Sequence, residues 1–332
     1  MKIMISILFL LTLTACKHKT VSDSIYIASV AVEKTEDEYK GYFYLPSSVE
    51  VGNSNPDNNT KKGEVGISTG KCVTDIFYNI EFSTSLSINY AHISTMIFHE
   101  SMLNNDDIDR LLQFFKNSHD FDFNFYIFTT SEKIEDIYTF TNPNKESVIN
   151  TLLVEPQNLK DQLLSADAIH YLSFCNYFYS KRCIHIPLIE LDYLWNIDDE
   201  KTDAYNARGL CYYENGAYEM HSYNSISLEY LKSNDLLYYS DDIISLSLRD
   251  YKVKYQYKDN LIIKIKGKAD KVVMKKEEDI DAYINKAIER IILDIIYIPK
   301  TDFLNLKYYS SLYKKDYALE SIALDIKIKT VD

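Results

Sequence analysis

Two long runs of alternating apolar and polar residues constrain this chain more than any other feature. Residues 243–275, IISLSLRDYKVKYQYKDNLIIKIKGKADKVVMK, keep a period of two on both sides of Lys258-Asp259-Asn260. Successive side chains of a strand point to opposite faces, so this pattern predicts two antiparallel strands joined at that turn. The period then changes. Ile280, Tyr283, Ile284, Ala287, Ile288, Ile291 and Ile292 recur at helical spacing, and Pro299 closes the run. A long amphipathic helix lying on the sheet is expected there. GLCYYENGAYEMHSY, residues 209–223, predicts a hairpin turning at Glu214-Asn215-Gly216, and ALDIKIKT, residues 323–330, a closing strand. The C-terminal half therefore reads as an antiparallel sheet backed by one long helix.

The other half mixes periods. Residues 24–33 and 39–48 read as strands, and the polar stretch 46–69, rich in Asn, Ser and Gly, as a mobile loop. Val73, Ile76, Phe77 and Ile80 mark a helix over 72–82, and residues 87–98 a strand. Asn104 and Asn105, followed by acids and then by Ile108, Leu111, Leu112 and Phe115, predict a capped helix. A strand over 121–128 and a short helix over 132–140 capped by Ser131 follow. The charged segment 196–208 lacks apolar periodicity and is expected to link an N-terminal region, 25–195, to a C-terminal domain, 209–332. The predicted class is α+β, with two or three mixed domains of which the first is α/β-like.

At the N-terminus, Met1 and Lys2 precede an apolar stretch, Ile3 to Leu13, much shorter than the roughly 20 residues that span a bilayer. It fits a secretory signal. Leu13-Thr14-Ala15-Cys16 resembles the cleavage box of bacterial lipoproteins. That resemblance implies a signal peptide over 1–15, a diacylglycerol on the Cys16 thiol and a tether over 16–24. Two acyl chains suffice for stable anchoring where one does not. The net charge of −13 argues against a nucleic-acid partner, which wants clustered Lys and Arg. The same charge gives the body no attraction to anionic lipid.

Four further cysteines, Cys72, Cys175, Cys183 and Cys211, form no CxxC. An exported chain could pair Cys175 with Cys183, and buried free thiols fit equally well.

Catalytic and metal constellations are sparse. His92 and His99, with Glu100, would lie on opposite faces of one strand, and the run HESMLN has no second His for a zinc motif. Cys183 and His185 would share a strand face, where a buried structural role is the simpler reading. There is no nucleophile elbow, phosphate loop or dinucleotide fingerprint. No catalytic residue, metal or cofactor is expected beyond the lipid on Cys16.

Several blocks, in order, resemble one known family. Tyr90-Ala91-His92-Ile93, then Ile97-Phe98-His99-Glu100, IDRLLQFFKN and FNFYIFTTSEKIEDIY are similar to the N-terminal block of the Ger(x)C proteins, lipoprotein subunits of spore germinant receptors. GLCYYENG, LIIKIKGKAD, the segment 294–317 and ALDIKIKT resemble later blocks. His99 stands where the family has Gly, Lys116-Asn117 where it has Arg-Asp, and Asp270 where a Gly-x-x-Glu pattern ends. Tyr309 or Tyr313 takes the place of a late Trp. The positions carried over are His92, Glu100, Asp270 and Asp302. The resemblance implies several α+β domains and a non-enzymatic role in the nutrient response, beside integral membrane receptor subunits. It also implies lipid anchoring on the outer face of the cytoplasmic (spore inner) membrane. The alternative, a solute-binding lipoprotein of a transporter, would show repeated βα units in two similar lobes. A secreted hydrolase would need a nucleophile or metal motif.

Overall fold

The computed structural model describes residues 24–46, 63–118, 120–140, 169–197, 200–222, 228–231, 234–274, 279–297, 302 and 304–331. The run expected as one strand from Ser24 splits because its two ends pair with different partners. β1 (Ser24–Tyr26) lies parallel to β5 (Ser87–Asn89), while β2 (Ser29–Lys34) enters a large sheet. There it pairs with β3 (Tyr39–Leu45), which pairs with β4 (Glu64–Gly70). The expected loop over 46–69 is thus corrected at its end: residues 64–69 are strand, held in register from Leu45↔Glu64 to Tyr39↔Gly70. Backbone pairing on an established neighbour does not require apolar side chains. Residues 47–62 lie outside the described part.

α1 (Asp75–Phe82) buries Ile76, Phe77 and Ile80 against this edge. The strand expected over 87–98 is two, β5 and β6 (Thr95–His99), parted by a turn in which Ile93 N–H donates to Tyr90 O at 3.2 Å. α2 (Asn105–Asn117) starts as its sequence predicts, with Asn104 accepting from Asp107 N–H. β7 (Tyr126–Thr130) begins later than expected, and α3 (Ile134–Thr139) is preceded by Lys133 at its N-cap, not by Ser131. β8 (Ile169–His170), α4 (Tyr171–Tyr179), β9 (Ile184–Ile197), β10 (Glu200–Glu214) and β11 (Ala217–His221) complete this half.

The nine-stranded sheet runs β11-β10-β9-β7-β6-β2-β3-β4, with β8 pairing off this path on β7. β2, β6, β7 and β9 are mutually parallel. Strands of that kind are covered on both faces, and β2 and β6 are buried over four consecutive residues each. One face packs on α1, α2 and α4, the other on α3.

The expected linker 196–208 is corrected as well. Residues 196–197 end β9 and 200–208 belong to β10, and the two strands pair from Ile197↔Glu200 onward. The same ladder places residues 209–221 in the first sheet. The predicted turn at Glu214-Asn215-Gly216 is present, and Asn215 and Gly216 both have positive φ, 50° and 84°, as the tight hairpin geometry demands. β10 is a wall shared by two cores. Cys211 and Tyr213 face the first, and Leu210 and Tyr212 face the second.

The second half is a four-stranded sheet ordered β12 (Asn234–Ser240), β13 (Ile244–Tyr257), β14 (Leu261–Met274) and then β15 (Ala323–Thr330). Tyr257↔Leu261 closes the predicted hairpin. β15 is parallel to β14, which corrects the wholly antiparallel expectation. The crossover that a parallel pair requires is supplied by α5 (Ile280–Tyr297) and α6 (Leu306–Tyr313). α5 buries Ile284, Ile288, Ile292, Ile295 and Ile296 on the sheet. Its Asn285 amide brackets Ile328, accepting from N–H at 2.9 Å and donating to O at 3.0 Å. Pro299, expected to stop the helix, lies outside the described residues.

Candidate functional site

The sequence-derived positions do not converge on one pocket. Cys16 lies outside the described residues. His92 is exposed in the turn before β6 and sets its ring edge-on to Tyr26, with centroids 5.2 Å apart. His99 ends β6 and accepts from Ser101 N–H through Nδ1 at 3.2 Å. The two histidines therefore do not share a strand, because the turn after Tyr90 divides the expected one. Glu100 opens a single 3-10 turn. Asp270 is held within the second sheet, accepting from Ser247 Oγ and pairing with Arg249 Nε at 2.5 Å.

Asp302 alone belongs to a larger assembly, the junction between the two sheets. Its carboxylate accepts from Leu306 N–H at 2.7 Å and Lys307 N–H at 2.8 Å, satisfying the open amides at the start of α6. Its own N–H donates to Glu214 Oε2 at 2.7 Å, and Lys307 Nζ reaches Glu214 Oε1 at 3.1 Å. The hairpin end of β10 is tied in this way to the first turn of α6. Asn305 completes the joint. With φ at 55° its backbone is left-handed, a conformation asparagine tolerates better than most residues. This turns its amide onto the Cys183 backbone. Arg182 lies between rings from both halves, 4.2 Å from the Tyr177 centroid and 4.5 Å from that of Tyr308.

The contributions of Arg182, Asn305 and Glu214 are not visible in the sequence. The one available signal was Asp302-x-x-Asn305-Leu306, acid and amide immediately ahead of an apolar run.

The two buried thiols are poor nucleophiles. Cys183 and Cys211 are buried, and burial pushes the Cys211 thiol up to about 12. His185 turns its ring edge-on to Tyr212 at 5.4 Å. Among the described residues, no three His, Cys, Asp or Glu side chains are placed to hold one metal ion. Open grooves are present among the described residues. One, of about 810 Å³ between α1 and α2, is walled by Phe77, Tyr90, Phe114 and Phe121, with Glu81 and Arg110 at its margin. Burial and the nearby Asp120 raise the Glu81 carboxyl above its ordinary value. Another, of about 840 Å³, lies between Tyr239, Asp241 and the outer face of α5.

A family model described as "Spore germination protein N-terminal domain" matches residues 17–191. No curated protein matches the chain. A solved structure titled "Crystal Structure of the GerBC protein" is similar at a TM-score of 0.47 and 16% identity, covering 91% of this chain and 97% of that one. The domain match takes in more than half of the chain, from the residue after Cys16 to the middle of β9, and the chain belongs to the Ger(x)C family of spore germination proteins, the germinant-receptor subunits.

Proposed function

We propose that this chain is a lipid-anchored, non-enzymatic subunit of a spore germinant receptor, required for the response to nutrient germinants. In this reading a diacylglycerol on Cys16 holds it on the outer face of the cytoplasmic (spore inner) membrane, beside integral membrane subunits of the receptor. The observation that carries the proposal is one of position: the family match opens at Lys17, directly behind Leu13-Thr14-Ala15-Cys16. Among the described residues no helix is long and apolar enough to cross a membrane. A solute-binding lipoprotein would close two like lobes on its ligand. The two sheets here differ in strand number and order, and nothing in them favours that alternative.

Cys16→Ala in a spore-forming host tests the proposal through membrane fractionation and nutrient germination. The expected result is a folded protein lost from the membrane and spores that respond poorly. Retention of the variant on the membrane after normal cleavage would refute the anchor. Normal germination with the protein released would refute the receptor role.

A further inference from the structure

The most exposed aromatic side chain among the described residues sits beside the point where the anchored end of the chain enters the fold. Phe82, at the last position of α1, is 87% exposed, Tyr78 one turn earlier 54%, and Leu86 in the following loop 42%. Spaced four apart, Tyr78 and Phe82 share a face of α1. Leu86 immediately precedes β5, whose Ser87 pairs with Ser24, the first residue of β1. The pair is parallel, so the end of β1 joined to the tether lies beside the end of β5 joined to Leu86.

We propose that Tyr78, Phe82 and Leu86 form a second membrane contact, seated in the interfacial layer of the bilayer that carries the lipid on Cys16. The proposal rests on the anchor at Cys16 argued above. Seven residues lie between Cys16 and Ser24, so the eight steps from one to the other span at most about 28 Å when fully extended. The acyl chains therefore keep the β1–β5 end close to the headgroups whatever the rest of the molecule does. Aromatic and aliphatic side chains at that depth gain from burial while the Tyr hydroxyl stays hydrated. Glu81 and Asp120 line the groove beside Tyr78 together with one cation, Arg110, which leaves that margin net negative, so zwitterionic lipid fits it better than an anionic surface. The contact gives the anchored subunit a fixed orientation, which the acyl chains alone do not.

The test uses the chain from Cys16 onward, coupled through that cysteine to a maleimide phospholipid in phosphatidylcholine vesicles, with Cys72→Ser and Cys175→Ser to confine the coupling. Trp195, the sole tryptophan, is changed to Phe. A single reporter is then placed by Phe82→Trp or, as control, by Val273→Trp. Val273 is exposed on β14, in the four-stranded sheet and not in the β1–β5 pair. A blue shift and loss of emission with brominated lipid at position 82, absent at 273, is the expected result. Equal, water-like emission at both positions overturns the proposal. Because the lipid is attached chemically, this outcome is independent of whether a host lipidates Cys16, which fractionation of Cys16→Ala decides separately.

Discussion

Asn305 and Cys183, 122 residues apart, are joined by two hydrogen bonds: Cys183 N–H donates to Asn305 Oδ1 at 2.6 Å, and Asn305 Nδ2 donates to Cys183 O at 3.3 Å. The side chain thus substitutes for a strand at the start of β9, and both sites are buried. Asn305→Ala strands the two backbone groups and forces a β-carbon-bearing residue without compensation into φ 55°. We predict a loss of about 2–4 kcal/mol, combining the unpaired groups with the left-handed backbone. Asn305→Gly removes the same bonds without the backbone cost and should be milder by about 1 kcal/mol. Urea midpoints of the two variants check this; equal losses would mean that the backbone carries no penalty.

Arg182 is predicted to couple energetically to Tyr308. Its guanidinium is stacked between Tyr177 on α4 and Tyr308 on α6, and its Nε is buried with no hydrogen-bond partner among the described residues, so ring contact is its main compensation. A double-mutant cycle of Arg182→Ala with Tyr308→Ala should return a coupling of about 0.5–2 kcal/mol. Additive losses would show that the stacking contributes only shape.

Thiol reactivity should rank by burial. None of Cys72, Cys175, Cys183 and Cys211 is disulfide-bonded, with Cys72 exposed, Cys175 intermediate and the other two buried. Burial raises the Cys175 thiol and pushes that of Cys211 up to about 12, which starves both of thiolate. In the Cys16→Ala chain at mildly alkaline pH, a disulfide reagent should modify Cys72 at once and Cys175 slowly. Cys183 and Cys211 should react only after denaturant is added. Rapid modification of all four in native buffer would contradict the packing of β10.

Legibility followed the range of the interactions involved. α2, α5 and the β13–β14 hairpin were readable because the stripe, the cap or the turn lies within one local stretch, as Asn104 and Lys258-Asp259-Asn260 show. The parallel placement of β15 was not readable, because ALDIKIKT alternates equally well in either direction and only the crossover through α5 and α6 decides. The strand residues within 196–208 were not readable for a related reason: the ladder that pairs them exists only once β9 is in place. At the junction, Asp302 was picked out from the sequence, but its partners Glu214, 88 residues away, and Asn305 with Cys183 were not. The alternation in GLCYYE did carry a hidden message, since Leu210 and Tyr212 serve one core and Cys211 and Tyr213 the other.

The buried carboxylate of Asp107 should give this protein a defined acid sensitivity. Asp107 is 2% exposed and accepts from Lys34 Nζ at 2.7 Å, from Asn104 Nδ2 at 2.6 Å and from the Tyr39 hydroxyl. Burial alone would push its carboxyl up, but the bonds from Lys34, Tyr39 and Asn104 outweigh that and hold it below the ordinary 3.8. A depressed folded-state value stabilises the fold above the unfolded value and ceases to do so as pH falls through the folded one. Asp107→Asn keeps the shape and removes the charge, and near neutral pH it should cost about 1.5–3 kcal/mol, the range for bonds to a charged group. That gap to the wild type should stay constant down to pH 3.8 and close below it, where the native carboxyl also becomes neutral. Urea unfolding of both proteins across an acid pH series measures the gap directly. A gap that persists unchanged below pH 3.8 would mean that Asp107 acts through its geometry alone, and that the ion pair with Lys34 adds nothing to the stability of the N-terminal sheet.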